Sequence, residues 1–472
     1  MRSVFLKSSV LASLFLILLI IGYPNNSTKF SGYPLTATAN EIAVSSASDD
    51  ATGYISLGVD VADDGKVSAE NLWRVRLFGP GMFYFYGSII AIFGSNVQIP
   101  LLILLISACL WSLLIVKYYE ILKLRIGTPA TAIWISILLT CSWFSTGLLN
   151  DNLLGADNIG LLLFSAIIIS VVNSPITSRL LIPGALLGLL TLMSARYYAI
   201  LLFIALYFAF LLFAKSIMAM LTSHDWSFLQ NLKIKKAVIV IACAFMIGIP
   251  WRLISSQNVL PGNYGIRTSE YYWSQRWMTD EFTASNGVGF LSEGGANWAC
   301  DIDPQLCSKI NSYEVSNNSN FNGSGYSAKQ FREMAISSAR QHPLPFIINR
   351  ASNFVNSWFG LINQPQPQMR IFQIISFFCL ISTFFFGITS IAKRKFLDAS
   401  VLATVMLIGL ISPFFLFHIE YRYLQNIQVM VFALFPFIVS ETLKSQLAGF
   451  TQNRKTKIKV DKFVLNDPSV KN

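Results

Sequence analysis

The sequence predicts an all-α polytopic membrane protein with about ten transmembrane helices, and three observations carry that prediction. The 472-residue chain is 54% hydrophobic and only 12% charged, about half the charged share of an ordinary soluble domain. Its apolar residues gather into long unbroken runs, whereas a membrane β-barrel needs short alternating segments. Its Lys and Arg residues cluster in the stretches between those runs, as the topology of polytopic helical proteins requires.

A helix needs roughly 20 mostly apolar residues to cross the hydrocarbon core. Runs of this kind cover 4–22, 98–116, 128–148, 155–173, 179–195, 197–215, 237–254, 371–391, 399–417 and 424–441. They divide the chain into a first anchor (1–22), a first outer loop (23–97), helices two to seven (98–254), a second outer loop (255–370), helices eight to ten (371–441) and a basic tail (442–472). The first run also resembles a signal peptide, with Ala37-Thr38-Ala39 as a cleavage site. Its apolar core is long for that role and the site lies far beyond it, so a retained anchor is the preferred reading.

Orientation follows from the basic residues. Arg2 and Lys7 precede the first run, and Lys117, Lys123 and Arg125 follow the second. Arg179 opens the next inner turn, Lys215, Lys233, Lys235 and Lys236 another, and Lys393, Arg394 and Lys395 another, before the Lys-rich tail. Ten alternating crossings put all of these on one side, which makes both termini cytoplasmic and turns both long loops outward. The net charge of +11 is mostly this signal, so no nucleic-acid partner is expected.

Cys109, Cys141, Cys243 and Cys379 fall in apolar runs and read as small packing residues. Cys300 and Cys307 lie in the second outer loop, where an oxidising compartment favours a disulfide between them. A metal site is the sharper alternative for that pair, with Asp301 and Asp303 between the two thiols, but no His lies close in sequence. His224, His342 and His418 are scattered and lack zinc-site spacing. No cofactor is expected, and a divalent metal is left open.

The first outer loop begins polar and partly extended, then carries Asp49-Asp50-Ala51-Thr52-Gly53-Tyr54, a helical stretch to Val61 and a turn at Asp63-Asp64-Gly65-Lys66. The apolar, aromatic segment 81–93 is too short to span and suits a helix lying at the interface or dipping into it. Asp49 and Asp50 fit helix N-caps; they equally fit a carboxylate that takes a proton from an acceptor hydroxyl. Arg76, Arg196, Arg252 and Arg422 fall at the outer ends of apolar segments, on the side otherwise poor in basic residues. Each alone reads as snorkelling to lipid phosphate. Together, beside acidic loop residues, they point to a bound phosphate, since guanidinium pairs bidentately with its oxygens. Trp273, Arg276, Trp277, Asp280 and Glu281 in the second loop suit sugar recognition or an ordinary solvated loop.

The order of these features resembles the GT-C superfamily of membrane glycosyltransferases, in particular bacterial relatives of the protein O-mannosyltransferase and aminoarabinose-transferase group. Asp50-Ala51-Thr52-Gly53-Tyr54 resembles the "D-x-x-x-Y" start of that family's first outer loop, and Arg76 to Gly81 its basic-then-Pro-Gly element. Phe83 to Gly94 resembles the apolar run that follows, Leu190 to Tyr197 the helix end bearing Arg196, Pro250-Trp251-Arg252 the exit into the large loop, and His418 to Tyr423 the late "E-x-R-Y" element. The chain departs from the pattern at Met82-Phe83, at Asn258 and at Asp157-Asn158, where many relatives carry Tyr-Pro, an adjacent Asn and a Glu.

The resemblance implies transfer of a sugar from a polyprenyl-phosphate donor to a hydroxyl of a glycan, lipid or protein, at the outer face of a bacterial inner membrane. It implies Asp50 as base or acceptor-orienting group with Asp49 as fallback, Tyr54 in support, the four arginines as phosphate ligands, and Glu420 positioning Arg422 or a sugar hydroxyl. No Walker-type glycine-rich loop is present, as suits a donor already activated in lipid form. A polysaccharide polymerase or ligase would share the large outer loop but not the early Asp loop and Pro-Gly segment. A transporter would show mid-span ionisable residues or internal repeats.

Overall fold

A computed structural model describes residues 7, 11–12, 33–45, 50–68, 80–141, 154–173, 181–193, 197–221, 238–248, 337, 340–359, 367–393, 395–396, 398–416 and 424–440. Among the described residues the elements are helices: α1 Ala39–Ala43, α2 Asp50–Asp64, α3 Pro80–Phe93, α4 Ile99–Ile126, α5 Thr128–Cys141, α6 Ala156–Asn173, α7 Leu181–Met193 and α8 Tyr198–Leu221. They continue with α9 Val238–Gly248, α10 Pro343–Phe359, α11 Pro367–Ala392, α12 Ala399–Leu416 and α13 Leu424–Ser440. Extended pairing is confined, among the described residues, to an isolated antiparallel bridge between Thr38 and Gln98. The all-α class read from the sequence is therefore correct.

α11 shows which solvent this fold is built for. Ile371, Ile374, Phe378, Ile381, Phe385, Ile388 and Ile391 recur every three or four residues and are all exposed, Phe378 at 66%. The opposite face is buried and holds the polar groups of the helix beside Phe372 and Leu380, with Gln373, Ser376 and Thr383 at 0% and Ser390 at 5%. A water-facing amphipathic helix has the reverse arrangement. α4 repeats it, with Leu105, Leu110 and Leu113 outward and Ser107 and Ser112 buried. Both helices are long and apolar enough to cross a membrane; at 28 residues for α4 and 23 for the apolar part of α11 they rise about 42 and 35 Å, against a core of about 30 Å. Further apolar helices surround them in α5–α9, α12 and α13.

Buried polar groups are mostly satisfied within or between helices, as a medium without water demands. The Ser112 hydroxyl donates to Ala108 O at 2.6 Å and the Thr383 hydroxyl to Cys379 O at 2.7 Å. Between α4 and α6, the Trp111 indole donates to Asn158 Oδ1 at 3.1 Å, and Asn158 Nδ2 donates to Ser107 Oγ at 2.9 Å. Glycines set the closest crossings. A Cβ on Gly184 would lie 2.7 Å from Cys243 Cβ, and one on Gly188 would lie 2.6 Å from Ile247 Cβ. This GxxxG spacing lets two apolar backbones meet, and its register (184 with 243, 188 with 247) makes α7 and α9 parallel, so that α8 between them runs back. Gly127 turns α4 into α5 in a single residue at φ +84° and ψ 163°, a conformation essentially confined to glycine that costs other residues about 1–3 kcal/mol.

The boundaries refine the sequence reading. α4 runs ten residues past the apolar run ending at 116, to Ile126. Charge ends a hydropathy signal but not a helix, and Lys117 and Glu120 form an i,i+3 ion pair at 3.6 Å there. Residues 33–45, read as partly extended, hold the short helix α1. A capping box starts it: the Glu41 amide donates to Thr38 Oγ1 at 3.2 Å and the Thr38 amide to Glu41 Oε2 at 2.8 Å. α10 falls inside 255–370, the stretch read from the sequence as the second outer loop, where no helix was predicted.

Candidate functional site

The described part of the candidate site is the α2–α3 unit and the helix ends beside it. Asp50 is the first residue of α2 and is partly exposed. A carboxylate there is favoured by the partial positive charge of the unpaired first-turn amides. Immediately after it α2 is buried, with Thr52 at 1%, Ile55 and Leu57 at 0% and Tyr54 at 7%. Tyr54 thus belongs to the packed side of the helix.

Three hydroxyls hold the loop 33–45 on this first turn. Tyr33 Oη is hydrogen-bonded to Thr52 Oγ1 and, at 3.1 Å, to Ser45 Oγ, which lies 3.3 Å from Thr52 Oγ1. One turn on, the Ser56 hydroxyl reaches Thr52 O at 2.7 Å and Ala43 O at 3.1 Å. The loop is tied in turn to the head of α4, where the Ala39 amide donates to Val97 O at 3.0 Å and the Asn40 amide to Ser95 O at 3.1 Å. The segment carrying Asp50 is therefore fixed at both flanks.

α2 crosses α3 through two glycines. A Cβ on Gly58 would lie 2.9 Å from Tyr86 Cβ and 3.0 Å from Gly87 N, and one on Gly87 would lie 3.1 Å from Gly58 O. Tyr86 is fully buried and donates its phenol to Leu154 O at 2.7 Å, just before α6. Burial holds that phenol protonated, far above its ordinary titration range. At its other end α3 abuts the tail of α7: a Cβ on Gly81 would lie 2.9 Å from Met193 Sδ and 3.0 Å from the Leu192 carbonyl oxygen. Tyr197, at the head of α8, is buried against Gly160 of α6. The heads of α3, α6 and α8 and the tail of α7 thus meet in one neighbourhood beside α2.

Of the residues singled out from the sequence, Asp50 and Tyr54 are described. Asp49, Arg76, Arg196, Arg252, Glu420, Arg422, Cys300 and Cys307 lie outside the described residues. What the fold brings together is their described chain neighbours: Pro80-Gly81, which follow Arg76, and Met193 and Tyr197, which flank Arg196. Among the described residues no cluster of three or more His, Cys, Asp or Glu is arranged to hold a metal, and Cys109, Cys141, Cys243 and Cys379 are free thiols.

Sequence reasoning missed the hydroxyls of Tyr33, Ser45 and Thr52 and the amide of Asn158. Asn158 carried a signal, being a lone amide entering an apolar run, and such groups are expensive in a membrane unless partnered. The hydroxyls carried none, because Ser and Thr fill that whole loop.

By fold, the described residues are helical, and two of their helices are long and apolar enough to cross a membrane. Comparison with known protein families, with curated proteins and with solved structures finds no match, so its function is argued from its own residues.

Proposed function

We propose that this chain is an integral membrane glycosyltransferase of the GT-C type. It moves a sugar from a polyprenyl-phosphate donor to a hydroxyl of a glycan, lipid or protein acceptor, on the outer face of a bacterial inner membrane. The observation that supports this most is the seating of α2 and α3: the helix headed by Asp50 is locked onto the one that follows Arg76, and that helix abuts the end of α7 leading to Arg196. The helix that Asp50 begins and the described residues next in sequence to Arg76 and Arg196 (Pro80-Gly81 and Met193) therefore lie in one connected set of helix contacts. The parallel pairing of α7 and α9 fits the alternate threading of this part of the chain that the ten-crossing reading requires.

In the proposed reaction the acceptor oxygen attacks the anomeric carbon from the face opposite the leaving group. The bond from that carbon to the phosphate oxygen breaks, so the configuration inverts. Asp50, or Asp49 beside it, takes the acceptor proton. Arg76, Arg196, Arg252 and Arg422 meet the charge that grows on the lipid phosphate, and Glu420 orients Arg422 or a sugar hydroxyl. Tyr54 supports Asp50 by anchoring the first turns of α2 in the core. The test is outer-face transfer from defined polyprenyl-phosphate sugars by Asp50→Asn and by Arg252→Gln. Asp50→Asn keeps the side-chain shape and is expected to abolish transfer with insertion intact, while Arg252→Gln is expected to raise the donor concentration required. Transfer at the parent rate by Asp50→Asn removes it from the mechanism.

A further inference from the structure

α10 closes the second outer loop and has three distinct sides. Leu344, Ile348 and Val355 fall within about 40° of one line along the helix and are 65%, 59% and 39% exposed, with Ile347 beside them at 53%. On one flank Phe354 and Trp358 pack inward, Trp358 against Phe377 of α11 with ring centroids 5.8 Å apart. On the other flank Ser352 and Asn356 lie together, Asn356 Nδ2 reaching Ser352 Oγ at 3.5 Å. The apolar line thus sits between a seat on the bundle and a polar side.

The seat is strong. The Trp358 indole donates to Gln373 O at 3.1 Å, and Gln428 Nε2 donates to Trp358 O at 2.7 Å, so one residue joins α10 to both α11 and α13. It lies beside Ile371 and Ile374, the outer end of the exposed apolar stripe of α11. One end of α10 is thus anchored where the exposed stripe of α11 begins. Charge points the same way. Between Glu333 and Asp398 the sequence has no acid, while Arg340, Arg350 and Arg370 fall around the helix, with His342 before it.

We propose that α10 lies in the headgroup boundary of an anionic bilayer leaflet, with Leu344, Ile347, Ile348 and Val355 among the upper acyl chains. An amphipathic helix with basic flanks binds such a surface through buried apolar area together with attraction to anionic lipid. Trp358 makes the association permanent by tying the end of the helix to the bundle. The inference rests on the membrane reading of the chain and not on the transfer reaction.

The experiment places a genetically encoded fluorescent amino acid at 348, 356 or 378 of the full chain, reconstituted in vesicles of phosphatidylcholine with or without phosphatidylglycerol. Quenching by lipids carrying a nitroxide high or low on the acyl chain reads depth. Ile348 is expected to be quenched several-fold more than Asn356, best by the shallow nitroxide and more strongly with phosphatidylglycerol present. Phe378 is expected to be quenched best by the deep one. Quenching at 378 without quenching at 348 overturns the proposal for α10 alone, and no quenching at either position overturns the membrane reading itself. Equal quenching at 348 in both lipid mixtures overturns the anionic preference, and crosslinking from 348 to a second copy of the chain in place of lipid overturns the assigned partner.

Discussion

Replacing Gly58 separates local preference from tertiary packing by sign. Gly58 lies inside α2, where the intrinsic helix scale favours Ala or Leu over Gly by about 0.8–1 kcal/mol. If α2 stood alone, Gly58→Ala and Gly58→Leu would both stabilise it. In the fold, the new Cβ meets Tyr86 Cβ at 2.9 Å and Gly87 N at 3.0 Å. Neither neighbour is a flexible side-chain tip. One is backbone, and the other is the root of a fully buried tyrosine held by its hydrogen bond to Leu154 O. Overpacking of this kind costs about 1–3 kcal/mol. Gly58→Ala should therefore come out between neutral and about 2 kcal/mol destabilised once the propensity gain is subtracted. Gly58→Leu has the same propensity gain and far more bulk, so it should be clearly worse. The assay is the unfolding midpoint of the purified protein in one detergent, with Gly248→Ala as reference, since a Cβ at Gly248 meets nothing nearer than Tyr198 Oη at 3.9 Å. A Gly58→Leu protein as stable as the parent would show that α2 and α3 do not cross at these glycines, and the convergence of Asp50 with the α3 and α7 segments would lose its basis.

Three further substitutions test the contacts between helices. Gly188→Leu puts its Cβ 2.6 Å from Ile247 Cβ and 2.9 Å from Ala244 O; it should lower the unfolding midpoint by the equivalent of about 1–3 kcal/mol. At Trp358, truncation to Ala removes a fully buried indole and should cost about 3–5 kcal/mol. Gln428→Met should cost under about 1 kcal/mol, close to the average for interhelical hydrogen bonds in membranes: it leaves Trp358 O without its amide donor, but it also removes Gln428 Oε1, which is buried with no hydrogen-bond partner. If Trp358→Ala unfolded no earlier than Gln428→Met, the packing of the indole would contribute little to this join.

Much of the architecture was legible because hydropathy and charge act along the chain. A short helix was predicted over 81–93 and α3 covers Pro80–Phe93, since an apolar run too short to span announces itself by length. The stretch after Asp50 was read as helical, and the turn at Gly65 lies where α2 ends. What stayed hidden depends on residues far apart. Asn158 and Trp111 are separated by 47 positions, and no spacing rule joins them. Gly58 reads as a poor helix residue until Gly87 is placed on it. α10 was masked by its setting: its apolar positions recur at helical spacing, but Pro343 and Pro345 and a run of Asn and Ser make the segment look like the rest of a polar loop. Of the candidate site, the order of the acid and arginine elements was readable, whereas the seating of α3 on α7 needed the fold.

The exposed face of α11 decides which solvent the protein lives in, and one lysine can test it. Phe378 is 66% exposed in the middle of the stripe formed by Ile374, Ile381 and Phe385. Were that face in water, Phe378→Lys would be a surface change away from any special contact, worth no more than about 0.5 kcal/mol either way, and Lys would improve solubility. In a bilayer the same ammonium sits deep in hydrocarbon. Insertion scales put its cost at about 2.5–3.5 kcal/mol at the centre of a crossing, reduced by snorkelling toward the ends. Each 1.4 kcal/mol is a factor of ten in an equilibrium, so the inserted fraction of that helix should shift by roughly a hundredfold. Membrane-fraction yield and the glycosylation pattern of tagged flanking loops read this directly, with Asn356→Lys on the polar side of α10 expected to be silent. A Phe378→Lys protein that inserted as well as the parent would mean the stripe faces something other than lipid chains. The exposed isoleucines of the whole helix would then need a protein partner to cover them.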